Sequence, residues 1–207
     1  MKITIQETGG GSLARAEKIL AGIPGGVQKA AQSAMTRTVT NLRTKVGERV
    51  RERYAISNAN LRLGDNMKVR YTMGQGVSAI IMFNGSKIPL YRYEGASPKS
   101  HDYLNERVPA LVNGNWRMVR PGVNAHGHQL TGTGSIAFPH AFVARMASGH
   151  TGIFERDGDG ISEIMGSSLP QMVGNEEVIE KLSEDASKKF EERMDHEISR
   201  ILNGWGK

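Results

Sequence analysis

The sequence predicts an α+β fold: an antiparallel sheet of about five or six strands flanked by a long N-terminal helix and a C-terminal helix. Three observations predict it. Two stretches, one towards each end, carry apolar residues at helical spacing. The region between them alternates apolar and polar residues, and Asn-Gly pairs that reverse a chain tightly punctuate it. At 207 residues the chain only modestly exceeds the usual ~150 per domain, and no linker-like segment divides it. One domain over residues 1–207 is expected, with exposed loops at about 95–106 and 121–134.

The elements follow in order. Ser12 is the expected N-cap of a short helix through Leu20, and Pro24 suits the start of a second. From there Val27, Ala31, Met35, Val39, Leu42, Val46 and Val50 recur at spacings of three or four, giving one apolar face to a helix of roughly Pro24 to Arg53. Ser57 is placed to cap one further turn before Gly64-Asp65-Asn66 breaks it. Met67 to Thr72 alternates like a half-buried strand, and Val77 to Phe83 is a denser apolar run. Asn84-Gly85 predicts a hairpin returning through Ile88 to Tyr91. Asn113-Gly114 predicts a second, between Val108–Val112 and Trp116–Arg120. Strands are then expected at Ile136 to Phe138, Ala141 to Met146 and Gly152 to Arg156. Gly166 and Pro170 would break the chain before the last helix, which Asn175 caps. Val178, Leu182, Ala186, Phe190, Met194, Ile198 and Leu202 run along that helix, widened by Ile179 and Ile201.

Composition removes several classes of function. No run approaches the ~18 apolar residues of a membrane span, and Met1 to Gly11 lacks the basic and apolar regions of a secretory signal. The protein is expected to be made and used in a cytoplasm and to have no membrane partner. With no cysteine there is no disulfide framework, thiolate zinc site, iron–sulfur cluster or cysteine nucleophile. Glycine is frequent, 25 residues, and aromatics make up only 6%, which implies many turns and a thin core.

Charge is distributed unevenly. Met1 to Tyr71 carries 13 basic and 5 acidic residues, whereas Arg156 to Lys207 carries 7 basic and 12 acidic ones. Within the long helix Lys29, Arg37, Arg43, Lys45, Arg49, Arg51 and Arg53 face only Glu48 and Glu52, so its exposed side should be positive. Glu176, Glu177, Glu180, Glu184 and Asp185 crowd the first half of the last helix, where the helix dipole favours them. Such polarity suits contact with nucleic acid at one end or head-to-tail contact between copies.

Motifs for catalysis or metal binding are weak. His126-Gly127-His128 lacks a third ligand at a recognisable spacing, and a solvated loop is the simpler reading. Asp157-Gly158-Asp159-Gly160 opens like a calcium loop, but the twelfth position is Ser168 rather than glutamate, which leaves a tight acidic turn. There is no nucleophile elbow, phosphate-binding loop or dinucleotide fingerprint in a strand-to-helix context. No catalytic residue, metal ligand or cofactor is therefore assigned.

Two runs carry a resemblance. His140-Ala141-Phe142-Val143-Ala144-Arg145-Met146 continues through Ser148-Gly149-His150-Thr151-Gly152-Ile153-Phe154-Glu155-Arg156, and Ile161-Ser162-Glu163 is followed by Gly166-Ser167-Ser168-Leu169-Pro170-Gln171-Met172. Together with Tyr54-Ala55-Ile56-Ser57, Leu61-Arg62 and Ile88-Pro89-Leu90 they resemble the prophage minor tail protein Z family of long-tailed bacteriophages. The resemblance implies a structural virion protein at the head-proximal end of the tail, without catalysis. It further implies a homo-oligomeric ring that joins the tail tube or tail terminator proteins to the head connector proteins and lets DNA pass.

For that role the charge asymmetry nominates Arg43, Arg49, Arg51 and Arg53 on the basic helix and Glu177, Glu180 and Glu184 on the acidic one as interface residues. Two alternatives stand beside it. One is a nucleic-acid-binding protein that uses helix residues 29–53 on phosphates, with incidental DNA contact as its weaker form. The other is a hydrolase of cell wall or DNA, which needs a carboxylate or histidine cluster in a cleft.

Overall fold

The computed structural model describes residues 1–6, 11–73, 77–94, 107–112, 114–119, 122–125 and 136–204. In chain order β1 (Lys2–Gln6), α1 (Ser12–Leu20) and α2 (Gly26–Arg53) are followed by the single turns α3 (Asn58–Leu61) and α4 (Leu63–Asn66). Then come β2 (Met67–Met73), β3 (Val77–Phe83), β4 (Lys87–Pro89), β5 (Val108–Val112), β6 (Asn115–Val119), β7 (Val123–Ala125) and β8 (Ile136–Phe138). The chain ends in β9 (Phe142–Arg145), β10 (Thr151–Asp157), β11 (Gly160–Glu163), β12 (Met165–Ser168), α5 (Leu169–Val173) and α6 (Glu176–Leu202). The α+β class and both long helices are as the sequence predicts. The strands, however, are distributed over several small antiparallel sheets, none of more than three strands among the described residues.

These elements form two compact units, and the chain crosses between them after Val50, Leu61, Gly85 and Leu169. The first unit comprises residues 1–50, 62–85 and 170–207. Its sheet has the order β1-β3-β2. The α2 stripe is buried from Ala31 through Met35, Val39, Leu42 and Val46 to Val50, while Val27 is half-buried. Thr38 is buried among them and donates its hydroxyl to the Ala34 carbonyl at 2.9 Å, so it leaves no unmet donor. On α6 the expected stripe is buried from Val178 to Ile198, but Leu202 is exposed and Ile201 is buried instead. A strict spacing of four advances ~40° per step around a helix of 3.6 residues per turn, so the stripe drifts off the core before its end.

Local expectations are corrected at several points in this unit. Helix α1 starts at Ser12 itself, and Gly11, at φ 112°, takes the cap position without a side-chain bond. Asn175 does precede α6, yet its side chain makes no capping bond. Gly64-Asp65-Asn66 forms the turn α4 rather than a break; the interruption falls at Arg62, whose φ is 46°. Asn84-Gly85 does not close a hairpin. Strand β3 pairs with β2 and β1, and Asn84 donates its N–H to the Asn66 carbonyl.

The second unit comprises residues 51–61 and 86–169. Sheet β11-β10-β9 is its largest, with two-stranded pairs β12-β4, β5-β6 and β7-β8. Buried Val143, Ile153, Phe154, Leu90 and Tyr93 form much of its core. The second expected hairpin is present, with Val112 opposite Asn115 and Gly114 at φ 77°; Asn113 itself lies outside the described residues. Asp157 lies opposite Gly160 in another tight reversal, which is the acidic turn expected there. The chain between β9 and β10 reverses through Met146 to His150. Gly166 lies within β12 and Pro170 within α5, so neither ends an element as expected. Of the two expected loops, 95–106 and most of 121–134, including His126-Gly127-His128, lie outside the described residues. Within the second, β7 pairs with β8 and buries Val123 and Ala125.

Tyr93 organises the β4–β12 side of this unit. Its hydroxyl donates to the Ser167 carbonyl at 2.9 Å, and burial pushes its pKa well above that of an ordinary tyrosine. Its ring lies against Gly166, where an added Cβ would come within 2.6 Å of it. Gly166→Ala is expected to destabilise the fold by roughly 1–3 kcal/mol through overpacking. Tyr93→Phe should cost about 1 kcal/mol by stranding the Ser167 carbonyl. Denaturant unfolding of both variants checks this, and Gly166→Ala at wild-type stability would contradict the contact.

Candidate assembly surfaces

The first unit brings α2 and α6 together, and with them part of the charge polarity. The Arg49 guanidinium donates through Nε and Nη2 to the two carboxylate oxygens of Asp185, at 2.8 and 2.9 Å. Both side chains are half-buried. These bonds, helped by the positive charges of Arg49, Lys45 and Lys188, hold the Asp185 carboxyl below its ordinary pKa. Helices α1 and α6 are also joined by an ion pair, Arg15 with Asp195, whose side chains are exposed. Lys45 is paired along α2 with Glu48 at 2.6 Å.

The nominated interface residues are therefore not equivalent. Arg49 is engaged inside its own unit, whereas Arg43 is exposed on α2. Glu177, Glu180 and Glu184 are exposed on α6, with Glu177 3.4 Å from Lys181. Arg51 is exposed and Arg53 half-buried, and both belong to the second unit. Asp185, the partner of Arg49, was readable only as one member of the acidic run.

A cavity of about 410 Å³ opens in the first unit between β1, β3, α2 and α6. Ile3, Ile5, Leu42, Val46, Phe83 and Leu182 supply its apolar wall, and Lys2, Ser183 and Ser187 its polar margin. Sequence reasoning passed over β1, although Lys2-Ile3-Thr4-Ile5 has a strand's alternation.

The second unit presents two other surfaces. Trp116 and Met118 on β6 are 74% and 60% exposed. Being two residues apart on one strand, they share a face. A separate recess of about 560 Å³ is lined by Arg107, His140, Phe142 and Arg156 among others, which makes it cationic. The His150 ring nitrogen Nε2 lies 2.7 Å from Glu163 Oε1, with the Phe154 ring edge-on to the imidazole. That pair ties the β9–β10 turn to β11. Among the described residues no group of three or more His, Asp or Glu is placed to hold a metal ion, and no helix is long and apolar enough to cross a membrane.

No family model, curated protein or solved structure matches the chain.

The Arg49–Asp185 pair gives a pH-dependent prediction. Because the folded pKa of Asp185 is depressed, its contribution is complete above the unfolded value near 3.8 and is lost as pH falls through the folded one. Asp185→Asn should lower stability by roughly 1–2 kcal/mol at pH 7, and the gap to wild type should close on acidification below about pH 4. Unfolding measured at both pH values checks the sign; a gap that widens in acid would contradict it.

Proposed function

We propose that the chain is a self-assembling structural protein of a long-tailed phage, a tail-completion protein at the head-proximal end of the tail that makes no covalent chemistry. The observation that carries this reading is the run His140 to Met172, whose resemblance to the minor tail protein Z family spans β9 to α5. Those residues act as architecture in the second unit: Val143, Ile153, Phe154 and Leu169 are buried, and Gly166 admits the Tyr93 ring. Self-association gains support from the exposed Glu180 and Glu184 of α6 and the exposed Arg43, opposite charges on the surface of the unit. In this reading the ring meets tail tube or terminator proteins on one side and head connector proteins on the other.

The cationic recess favours a second reading, contact with nucleic-acid phosphates. Arg107 and Arg156, rather than the 29–53 helix alone, are then the cations to test.

Sedimentation and electron microscopy of the purified protein should show closed oligomers, and adding it to tails that lack their upper end should restore joining to heads. Glu180→Lys with Glu184→Lys should weaken association about tenfold or more, with the wild-type affinity itself falling as salt rises. A protein that stays monomeric and restores no joining would reject the assembly reading. For the second reading, DNA affinity should fall with salt and drop in an Arg107→Ala, Arg156→Ala variant; no binding at low salt removes it.

A further inference from the structure

We infer that the β5–β6 hairpin of one copy adds as an extra strand to the β1 edge of another, with Trp116 and Met118 seated in the apolar cavity between α2 and α6. The inference rests on the self-assembly part of the reading above and names the surfaces that join.

The receiving site follows from the β1 hydrogen-bond pattern. Met1 and Phe83 exchange both main-chain bonds, each at 2.9 Å. Antiparallel pairs alternate between bonded and non-bonded positions, so Ile3 and Ile5 direct their peptide groups towards β3. Lys2 and Thr4 direct theirs outward. Strand β1 is at the end of its sheet and has no second strand partner among the described residues. Four consecutive residues of it, Lys2 to Ile5, line the cavity, so the opening follows the strand's edge as well as its inner face. An edge with outward N–H and C=O groups beside an apolar groove is what strand addition requires: the main chain gives affinity, and alternate side chains enter the groove.

The hairpin has the matching features. It is a two-stranded sheet that pairs with no other strand among the described residues, and an isolated hairpin is marginal in water. Among its described side chains, Trp116 and Met118, at alternate positions on β6, are exposed. Trp and Met are among the side chains enriched at interface centres. Trp116 and Met118 stand at β6 positions not bonded to β5, so their peptide groups point to the outer edge of the hairpin. With β6 added parallel to β1, each such residue stands beside one whose peptide groups point the other way, which sets Trp116 and Met118 on the side of Ile3 and Ile5, and Arg117 on the side of Lys2 and Thr4.

Charge selects a second copy of this chain as the occupant. Residues 107–120 contain three arginines and no acidic residue, whereas residues 176–187, the part of α6 beside the cavity, contain five acidic residues and one lysine. Opposite fields of this kind steer encounter and disfavour the reversed pairing. Patch and pocket lie on different units of the chain, so the contact is head-to-tail and repeats from copy to copy, as a ring demands.

The chain has no cysteine, which makes the test direct. Thr4→Cys and Arg117→Cys are made as separate full-length variants, mixed and oxidised. The expected result is a disulfide-linked pair that forms only in the mixture and is lost when Trp116→Ser and Met118→Ser are added to the Arg117→Cys chain. In parallel, Trp116→Ser, Met118→Ser in the cysteine-free chain should weaken self-association more than tenfold by sedimentation, with an unchanged circular dichroism spectrum because both side chains are exposed. Oligomers that persist in this variant, with no mixed disulfide, overturn the hairpin assignment while the assembly reading stands. A wild-type chain that remains monomeric overturns both. A disulfide that forms within a single chain carrying both cysteines, and not between the mixed variants, overturns the choice of occupant.

Discussion

The first unit is governed by a mismatch of sizes. Helices α2 and α6 have 28 and 27 residues, about 40 Å each at 1.5 Å per residue, while a three-stranded sheet is only about 10–15 Å across. Both helices carry apolar stripes along nearly their whole length, so the sheet alone cannot cover them. Helix α1 packs on α6 and takes up part of the remainder. Ala30, Ala31 and Ala34 of α2 are buried as well. The cavity beside β1 lies where this coverage runs out: Leu42 and Val46 still point inward, and the sheet has reached its last strand.

Charge has two separate uses in the same helices. Inside the unit, the Arg49–Asp185 bonds fix the rotation of α2 against α6, because a two-point contact between planar groups tolerates little misalignment. Outside it, Glu177 lies in the first turn of α6, where the helix dipole favours it, and with Glu180 and Glu184 it gives the N-terminal half of α6 an exposed acidic face. The sequence could show the acidic run but not this division of labour. One residue in the run differs from its neighbours only by the direction in which the helix turns it.

Legibility in the sequence followed range of contact. The helical stripes, the Asn113-Gly114 hairpin and the Asp157 turn were readable because period and turn chemistry are local properties. The partner of Arg49 is 136 positions away, and β4 pairs with β12 across a similarly non-local span, Lys87 opposite Ser168. Asn84-Gly85 misled for the same reason: Asn-Gly favours a reversal, but β3 already has β1 and β2 on its two sides, so no edge is left for Lys87–Pro89. The two units were hidden because each is discontinuous, and four crossings within elements or short turns leave no Pro- or Gly-rich linker to find. Of the candidate surfaces, the acidic and basic helices were visible as charge runs. The cavity and the exposed face of β6 were not, since both depend on which apolar residues the fold leaves uncovered.

A strand-addition joint also bears on what kind of assembly results. Its main-chain bonds allow shifts only in steps of two residues, since a single-residue slip would turn Trp116 and Met118 away from the cavity. Filling that cavity with one large and one flexible side chain narrows the choice further, so successive copies meet at one rotation. A head-to-tail contact with a fixed rotation closes into a ring when that rotation divides a full turn and otherwise grows as a filament. In the proposed assembly the number of copies would thus be set by the angle at which β6 meets β1, and the flanking charges would govern how readily the joint forms.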